Sequence, residues 1–416
     1  MHVVLLNQAF HPDIVATAQM GRDLAEALVR RGHTVTAIAS RSIYGQKGAV
    51  LAEREEFAVA PEGVGDKAGA VRVRRVGSSL FGRASTIARL FDFGMFYVRA
   101  AWTLLTMERP DAVVAFSTPP YIALLALFCR FCRGSKAVYW AMDLYPEVMV
   151  PSGMLKPSSP VYRFLAWLHR LLVRRSDATV VLGRCMQGRV LAAQGDGGAR
   201  NNVVMIPVWS DEAGVSPVTH ENNRVRREWG LGEAFVVMYS GNFGIGHDAS
   251  TVLDAMLRLK DRADIQFVFV GGGKRRAEVE AFIKQHALSN ARYKDYQPRE
   301  RLAESLSAGD IHLISLRTGM EGLIVPSKLY GIMASARPSI FVGPESSEVA
   351  RVLAESGCGV VVREGDGEGL ARRIESYAQN VQEVERAGVA ARRTFEEKYS
   401  RRASCSLWVD LLERLA

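Results

Sequence analysis

The apolar residues of this chain alternate between short runs and longer stretches of helical period, and the whole alternation occurs twice. Residues 3–6, 34–39, 71–76, 112–116, 137–142, 179–182 and 203–206 read as strands, mostly buried on both faces. Between them lie helical patterns. In 18–31, Leu24, Ala27 and Leu28 line one side and Gly32 ends the helix, and 86–107 reads as one long helix. The series restarts with strands at 235–240, 266–270, 311–316, 339–342 and 359–362. Residues 211–233 have little apolar period and read as a linker. Strand–helix–strand succession predicts parallel βαβ units with helices on both faces of each sheet. The expectation is an α/β chain with domains at 1–210 and 234–395, and 416 residues suffice for two such cores. Residues 396–416 hold an amphipathic helix that either completes the second domain or crosses back onto the first.

Charge separates the halves. The chain carries 53 basic and 44 acidic residues, a net +9. Residues 1–200 hold 25 Lys and Arg against 15 Asp and Glu, and the remainder holds 28 against 29. The positive surface therefore belongs to the first domain. Its candidate partners are a nucleic acid, an anionic lipid surface or a phosphorylated ligand. The basic residues of 81–105 and 161–176 are interleaved with Phe, Leu and Trp, as in Arg163, Phe164, Trp167, Arg170, Arg174 and Arg175. That composition suits an amphipathic helix on an anionic membrane, and no nucleic-acid module accompanies it. The five cysteines include one CxxC, Cys129 and Cys132, inside an apolar run with no second ligand pair, so packing in a reducing cytosol is expected rather than zinc. No cleavable leader and no uncharged run of membrane-spanning length is read in the chain.

In open parallel sheets, ligands bind beyond the carboxyl ends of the strands. Three such places in the second half carry chemistry. In "YSGNFGIGHD", Gly241 and Gly244 let backbone approach a ligand, and Asp248 is the expected cap of the next helix. In "VGGGKRR", glycines 271–273 precede Lys274, a cation at a helix start where the dipole disfavours it unless an anion lies opposite. In "GMEGLIVPSKLYGIMASARP", Glu321 precedes an apolar turn, Pro326 and Ser327 open a helix, and Lys328 occupies its first turn. Neither glycine turn is a complete GxGxxG or a GxxxxGK[ST], which argues against a dinucleotide or a P-loop nucleotide site.

The last of these stretches resembles the signature of the family 4 retaining glycosyltransferases. Glu321, Gly322 and Pro326 match its first part and "PSKLYGIMASARP" a lengthened second part, with Gly331 where the family has a ribose-holding glutamate. Matching segments run along nearly the whole chain. "DLYPE", with Asp143, Pro146 and Glu147, looks like members that act in envelope polysaccharide assembly.

The resemblance implies the GT-B fold: two Rossmann-like domains facing across a cleft. It implies transfer of a sugar from a UDP- or GDP-sugar to a hydroxyl acceptor, lipid-linked or a polysaccharide precursor, with retention and without a metal or other cofactor. It implies a cytoplasmic enzyme, peripheral on the inner face of the membrane. Donor residues on this basis are Gly241, Asn242, Phe243, Gly244, Gly272, Gly273, Lys274, Gln297, Gly322, Val325, Pro326, Ser327 and Gly331. Asn242 and His247 stand where other members carry a cationic pair for the diphosphate, so Lys274, Lys328 and backbone amides are left to supply that charge. The catalytic set is Asp143, Lys328 and Glu321. Pro12, Asp13, Thr17 and Ser117 fall on the acceptor side, and Glu147 reads as structural. The alternative is a non-catalytic GT-B partner that binds nucleotide-sugar or activates another transferase.

Overall fold

The computed structural model describes residues 1–13, 15–43, 50–77, 86–195, 202–211 and 214–416. Side chains of 86–90 and part of the basic–aromatic segment 81–105 lie outside the described residues. The chain forms two compact units, one of Met1–Pro207 with Ser404–Ala416 and one of Val208–Ala403.

In the first unit the strands are β1 (His2–Leu6), β2 (Thr34–Ala39), β3 (Arg54–Val59), β4 (Gly69–Arg75), β5 (Ala112–Ala115), β6 (Lys136–Trp140), β7 (Ala178–Val181) and β8 (Val203–Met205). They are ordered β3-β4-β2-β1-β5-β6-β7-β8, and every pairing is parallel except β3 with β4. Helices α1 (Ala16–Arg30), α2 (Thr86–Thr106), α3 (Leu124–Arg133), α4 (Pro160–Arg175) and α5 (Arg184–Gln194) join them. The central strands β5 and β7 are buried at every residue, as the unbroken apolar runs require when helices cover both faces.

The second unit begins with α6 (Arg224–Glu228) and continues with β9 (Phe235–Asn242), α7 (Ser250–Arg258), β10 (Ile265–Gly272), α8 (Arg276–Gln285), β11 (Ala291–Lys294), α9 (Leu302–Ser307), β12 (Ile311–Ser315), α10 (Lys328–Ala334), β13 (Ser339–Val342), α11 (Glu348–Ser356), β14 (Gly359–Val362), α12 (Gly367–Gln379) and α13 (Val381–Thr394), and the chain ends in α14 (Arg401–Leu415). Its sheet, β11-β10-β9-β12-β13-β14, is wholly parallel.

Two strands were not legible in the sequence, β3 and β11. Both sit at sheet edges, and β3 alternates exposed and covered residues. The stretch read as a linker also differs from expectation. Val225, Trp229 and Leu231 are buried with Val236, Met238 and Val268 in one apolar cluster. The Arg226 guanidinium sits 3.2 Å from Asp310 and donates to the carbonyls of Ala308, Gly232 and Ala234. A five-residue helix is too short to show a period, so its packing was invisible in the pattern.

α14 settles the two options for the C-terminus. From Ser404 onward it belongs to the first unit. Trp408 and Leu412 are fully buried, and the Trp408 ring lies 4.4 Å from that of Trp140, which in turn lies 4.3 Å from Phe116. Arg31 and His33 reach Glu413 at 3.3 and 3.1 Å.

Candidate active-site residues in two units

The donor-side residues collect at the carboxyl ends of β9, β10 and β12. The two glycine turns are packed backbone to backbone. A side chain on Gly271 would come within 2.4 Å of the Gly241 carbonyl oxygen, and one on Gly273 within 2.4 Å of that of Phe243. Both glycines have positive φ, +125° and +122°. The glycines that the sequence reading reserved for a ligand are thus needed first for this mutual approach. Phe243 requires a similar correction. Its ring is buried and stacked on Tyr239 at 4.1 Å, while its N–H donates to the Gly272 carbonyl and its own carbonyl accepts from Arg275. Its side chain and its N–H are therefore not spare for a donor. Asn242 and Lys274 are exposed at the rim. Gly244 lies beside the Asn242 amide. Asp248 accepts the N–H of Thr251 in the first turn of α7.

Lys328 is the distinctive group. It leads α10, its ammonium contacts the Tyr239 hydroxyl, and it sits over the Tyr239 ring at 3.7 Å from the centroid. A methyl group on Gly241 would stand 3.8 Å from its Cε, which places the lysine at the first glycine turn. Among the described residues no carboxylate lies within ion-pair distance of it. Burial lowers its pKa well below the ordinary lysine value.

His247 adds no positive charge, because burial first, and then the Lys328 charge, push its pKa down to about 3. Its Nδ1 faces the Ser315 carbonyl, which can only accept, so Nδ1 holds the proton and Nε2 is left as an acceptor.

The 317–324 loop packs on the first glycine turn: Arg317 donates its N–H to the Gly246 carbonyl, and a side chain on Gly246 would meet Ile324. Within it Glu321 accepts the N–H of Gly319 at 2.7 Å, and Gly322 takes φ +74°. Pro326 is buried and Ser327 exposed, with Val325 between these extremes. Gly331 points into α9 and the start of the unit: a Cβ there would make ordinary contacts, 3.4 Å from Leu306 and 3.9 Å from the Ser210 hydroxyl. Gln297 donates to the Asp295 carbonyl. Sequence reasoning missed two aromatics: Tyr239, which lies beneath Lys328, and Tyr296. Tyr296 is 54% exposed, and its ring lies against Gly271 and Gly272. An aromatic residue between two edge elements has no period to betray it.

In the first unit, Asp143 follows β6. Its carboxylate has no ion-pair or hydrogen-bond partner among the described residues, and burial alone pushes its pKa up to about 6. The structure gives Ser117 a different task from the acceptor contact read in the sequence. It is buried, and its hydroxyl oxygen accepts the N–H groups of Met142 and Asp143 at 3.2 and 3.1 Å. Pro12 is exposed and Thr17 half-buried, whereas Asp13 is buried and accepts the N–H of Val15. Glu147 lies 3.2 Å from His169.

The basic residues of α4, Arg163, Arg170, Arg174 and Arg175, are all exposed, with Val161, Phe164 and Trp167 exposed on the same helix, and Arg174 also donates to the Gln194 carbonyl. The neighbouring helices extend the apolar exposure with Val98 and Trp102 on α2 and Phe131 on α3. No helix among the described residues is long and apolar enough to cross a membrane.

Comparison with known proteins agrees with this arrangement. Over residues 17–209 the chain matches the Glycosyl transferase 4-like domain, and over 221–394 Glycosyl transferases group 1. It is 30% identical to the Probable glycosyltransferase WbjE of Pseudomonas aeruginosa over 76% of each chain. It is 24% identical to WcaI of Escherichia coli (strain K12), named for colanic acid biosynthesis and glycosyl transfer, over 87% of this chain and 88% of that one. The crystal structure of Anabaena HepE in complex with UDP and glucose superposes with a TM-score of 0.69 over all of both chains at 14% identity, so it shares the fold. Two mainly parallel sheets, the signature around Glu321 and Lys328, and family matches over both halves lead to one assignment: the chain belongs to the family 4 glycosyltransferases of GT-B fold.

Proposed function

We propose that the protein transfers a sugar from a nucleoside-diphosphate sugar to the hydroxyl of a polysaccharide precursor, with retention and without a metal ion. The observation that carries this reading is Lys328, a desolvated lysine at the first glycine turn with no carboxylate partner among the described residues. Such a cation is costly alone and favourable once an anion lies against it. A donor diphosphate is the anion of that reaction. When the bond from the anomeric carbon to the diphosphate oxygen breaks, negative charge grows on the leaving group, and a fixed ammonium stabilises it most at that moment. The acceptor hydroxyl then bonds to the anomeric carbon, and its proton passes to the departing phosphate oxygen. No second carboxylate is needed for this, in contrast to a hydrolase. Lys274 at the rim adds charge, Glu321 and Gln297 offer acceptors to hydroxyl groups, and UDP is the first nucleotide to try because HepE binds it. Asp143 takes the polar contact to an acceptor or sugar hydroxyl.

The names of WbjE and WcaI support a glycan-building role, and the exposed aromatic and arginine residues of α4 support work at an anionic membrane surface on a lipid-linked acceptor. Thermal melting with UDP- and GDP-sugars, with and without EDTA, tests the reading. A donor at 100 times its Kd stabilises by about 2.7 kcal/mol. A protein whose melting no nucleotide-sugar shifts is not this transferase, and a shift abolished by EDTA refutes metal independence.

A further inference from the structure

Glu147 and His169 form a pair whose purpose packing does not explain. Glu147 lies four residues beyond Asp143 in the loop that follows β6. His169 is the one buried polar side chain of α4, on the side opposite the exposed Phe164 and Trp167. The carboxylate can only accept, so the imidazole Nδ1 donates to Glu147 Oε1 across 3.2 Å. The other two polar atoms, His169 Nε2 and Glu147 Oε2, are buried with no hydrogen-bond partner among the described residues. A polar pair left half-satisfied is a poor way to stabilise a core, since an apolar pair of the same size would leave no unpaired group. Its geometry has a different consequence. The loop is held at its start by Ser117, which accepts the N–H groups of Met142 and Asp143, and at its end by His169. Around Glu147 the backbone closes on itself, with Val148 donating to Leu144 and Met149 to Pro146, both at 2.9 Å. α4 is fixed in turn by the Tyr121 hydroxyl, which donates to the Leu165 carbonyl, and by the edge of the Tyr139 ring against His169 at 6.4 Å.

We infer that Glu147 is a positioning residue for Asp143, with His169 as its anchor on α4. The carboxylate of Asp143 has no side-chain partner to orient it among the described residues, so its place depends on backbone held at both ends of this loop. The pKa of Glu147 agrees: burial raises it, but the hydrogen bond and charge of His169 outweigh that and leave it below the ordinary value.

The test rests on the glycosyl-transfer reading and uses the full chain, with nucleotide release from UDP-glucose, or from whichever nucleotide-sugar replaces it in the thermal screen, as the probe. Glu147→Ala is expected to lower kcat about 10- to 100-fold, the scale of a catalytic group displaced by about an ångström. The KM for the donor should stay within about threefold, because the donor residues lie in the second unit. Glu147→Gln keeps an acceptor for the Nδ1–H and should stay within about threefold of wild type. His169→Ala should match Glu147→Ala, and the double variant should be no worse than either, since both remove one clamp. Additive losses, an alanine variant with wild-type kcat, or a glutamine variant as poor as alanine would each overturn the proposal.

Should the alanine variants not fold, Glu147→Asp withdraws the carboxylate by one methylene. Amide exchange at Met142 and Asp143 should then quicken several-fold, and unchanged exchange refutes the clamp. Wild-type protein that releases no nucleotide from any donor defeats the transferase reading, while the exchange experiment still decides the clamp.

Discussion

The two units share an architecture and differ in the sign of the charge each leaves uncompensated. The first desolvates a half-buried carboxylate, Asp143, and the second a half-buried ammonium, Lys328, and neither has an oppositely charged partner among the described residues. Elsewhere the molecule pairs its buried charges: Arg226 meets Asp310 at 3.2 Å, and Arg75 meets Glu55 at 2.8 Å. The contrast teaches that desolvation without compensation, rather than burial itself, distinguishes a reactive position from a structural one. The surfaces differ as well. The helices of the first unit expose Trp102, Phe131, Phe164 and Trp167 among arginines, whereas Tyr296 is the only aromatic in the second unit among the exposed large apolar side chains of the described residues.

The comparison breaks most readily at Lys328. Lys328→Ala should slow transfer by about 10²–10³, the scale for removing one group that stabilises developing charge, while melting stays the same or rises. Equal turnover by the variant would show that the second unit's cation is incidental. Once the pH exceeds the free-state pKa of Lys328, donor binding should also take up a proton. The lysine pKa is depressed in the free protein and restored by the diphosphate, so affinity falls as pH rises past the free-state pKa. Titration calorimetry in two buffers of different ionisation enthalpy measures that uptake, and identical heats contradict it.

Asp143→Asn sharpens the opposite case. The carboxyl pKa rises on folding from 3.8 to about 6, so ionised Asp143 penalises the folded state above pH 6, and the penalty vanishes below about pH 4. At about 1.4 kcal/mol per unit, the asparagine variant gains up to ~3 kcal/mol at pH 7.5 and almost nothing at pH 4. Denaturant melts at the two pH values check the difference, and a variant less stable at pH 7.5 means that the carboxylate is satisfied after all.

The surface contrast is smaller in energy. Arg163→Glu should weaken binding to anionic vesicles by about 1 kcal/mol or more, and Arg174→Glu should act mainly on stability, since the Gln194 carbonyl already holds that side chain. Sedimentation with vesicles at low salt separates the two. Smallest of all is Gly331→Glu. The φ there is not left-handed and the Cβ contacts are ordinary, so the variant should melt within about 1 kcal/mol of wild type, on the favourable side. Any gain in donor affinity, read by calorimetry, would show that the missing family glutamate can be restored.

How much was legible in advance follows from what each feature rests on. The two parallel sheets were plain because strands covered on both faces must be apolar along their length, as Ala112–Ala115 and Ser339–Val342 show. The edge strands Arg54–Val59 and Ala291–Lys294 escaped, since one uncovered side removes that signal. Lys328 and Asp143 were also legible, because a charged residue just beyond a buried strand or opening a helix is out of place by charge alone.

Sequence by itself thus determined which segments are strands, that they form two α/β sets, and where charge meets a strand end. Tertiary structure alone decided how those places are wired: that glycines 271 and 273 let their turn pack on the Gly241–Phe243 backbone, that Phe243 is closed into the core, that Ser117 holds the Asp143 loop, and that the last helix returns to Trp140. Local pattern reports whether a residue is covered. Which residue covers it depends on chain segments up to several hundred positions away, and only the folded chain brings them together.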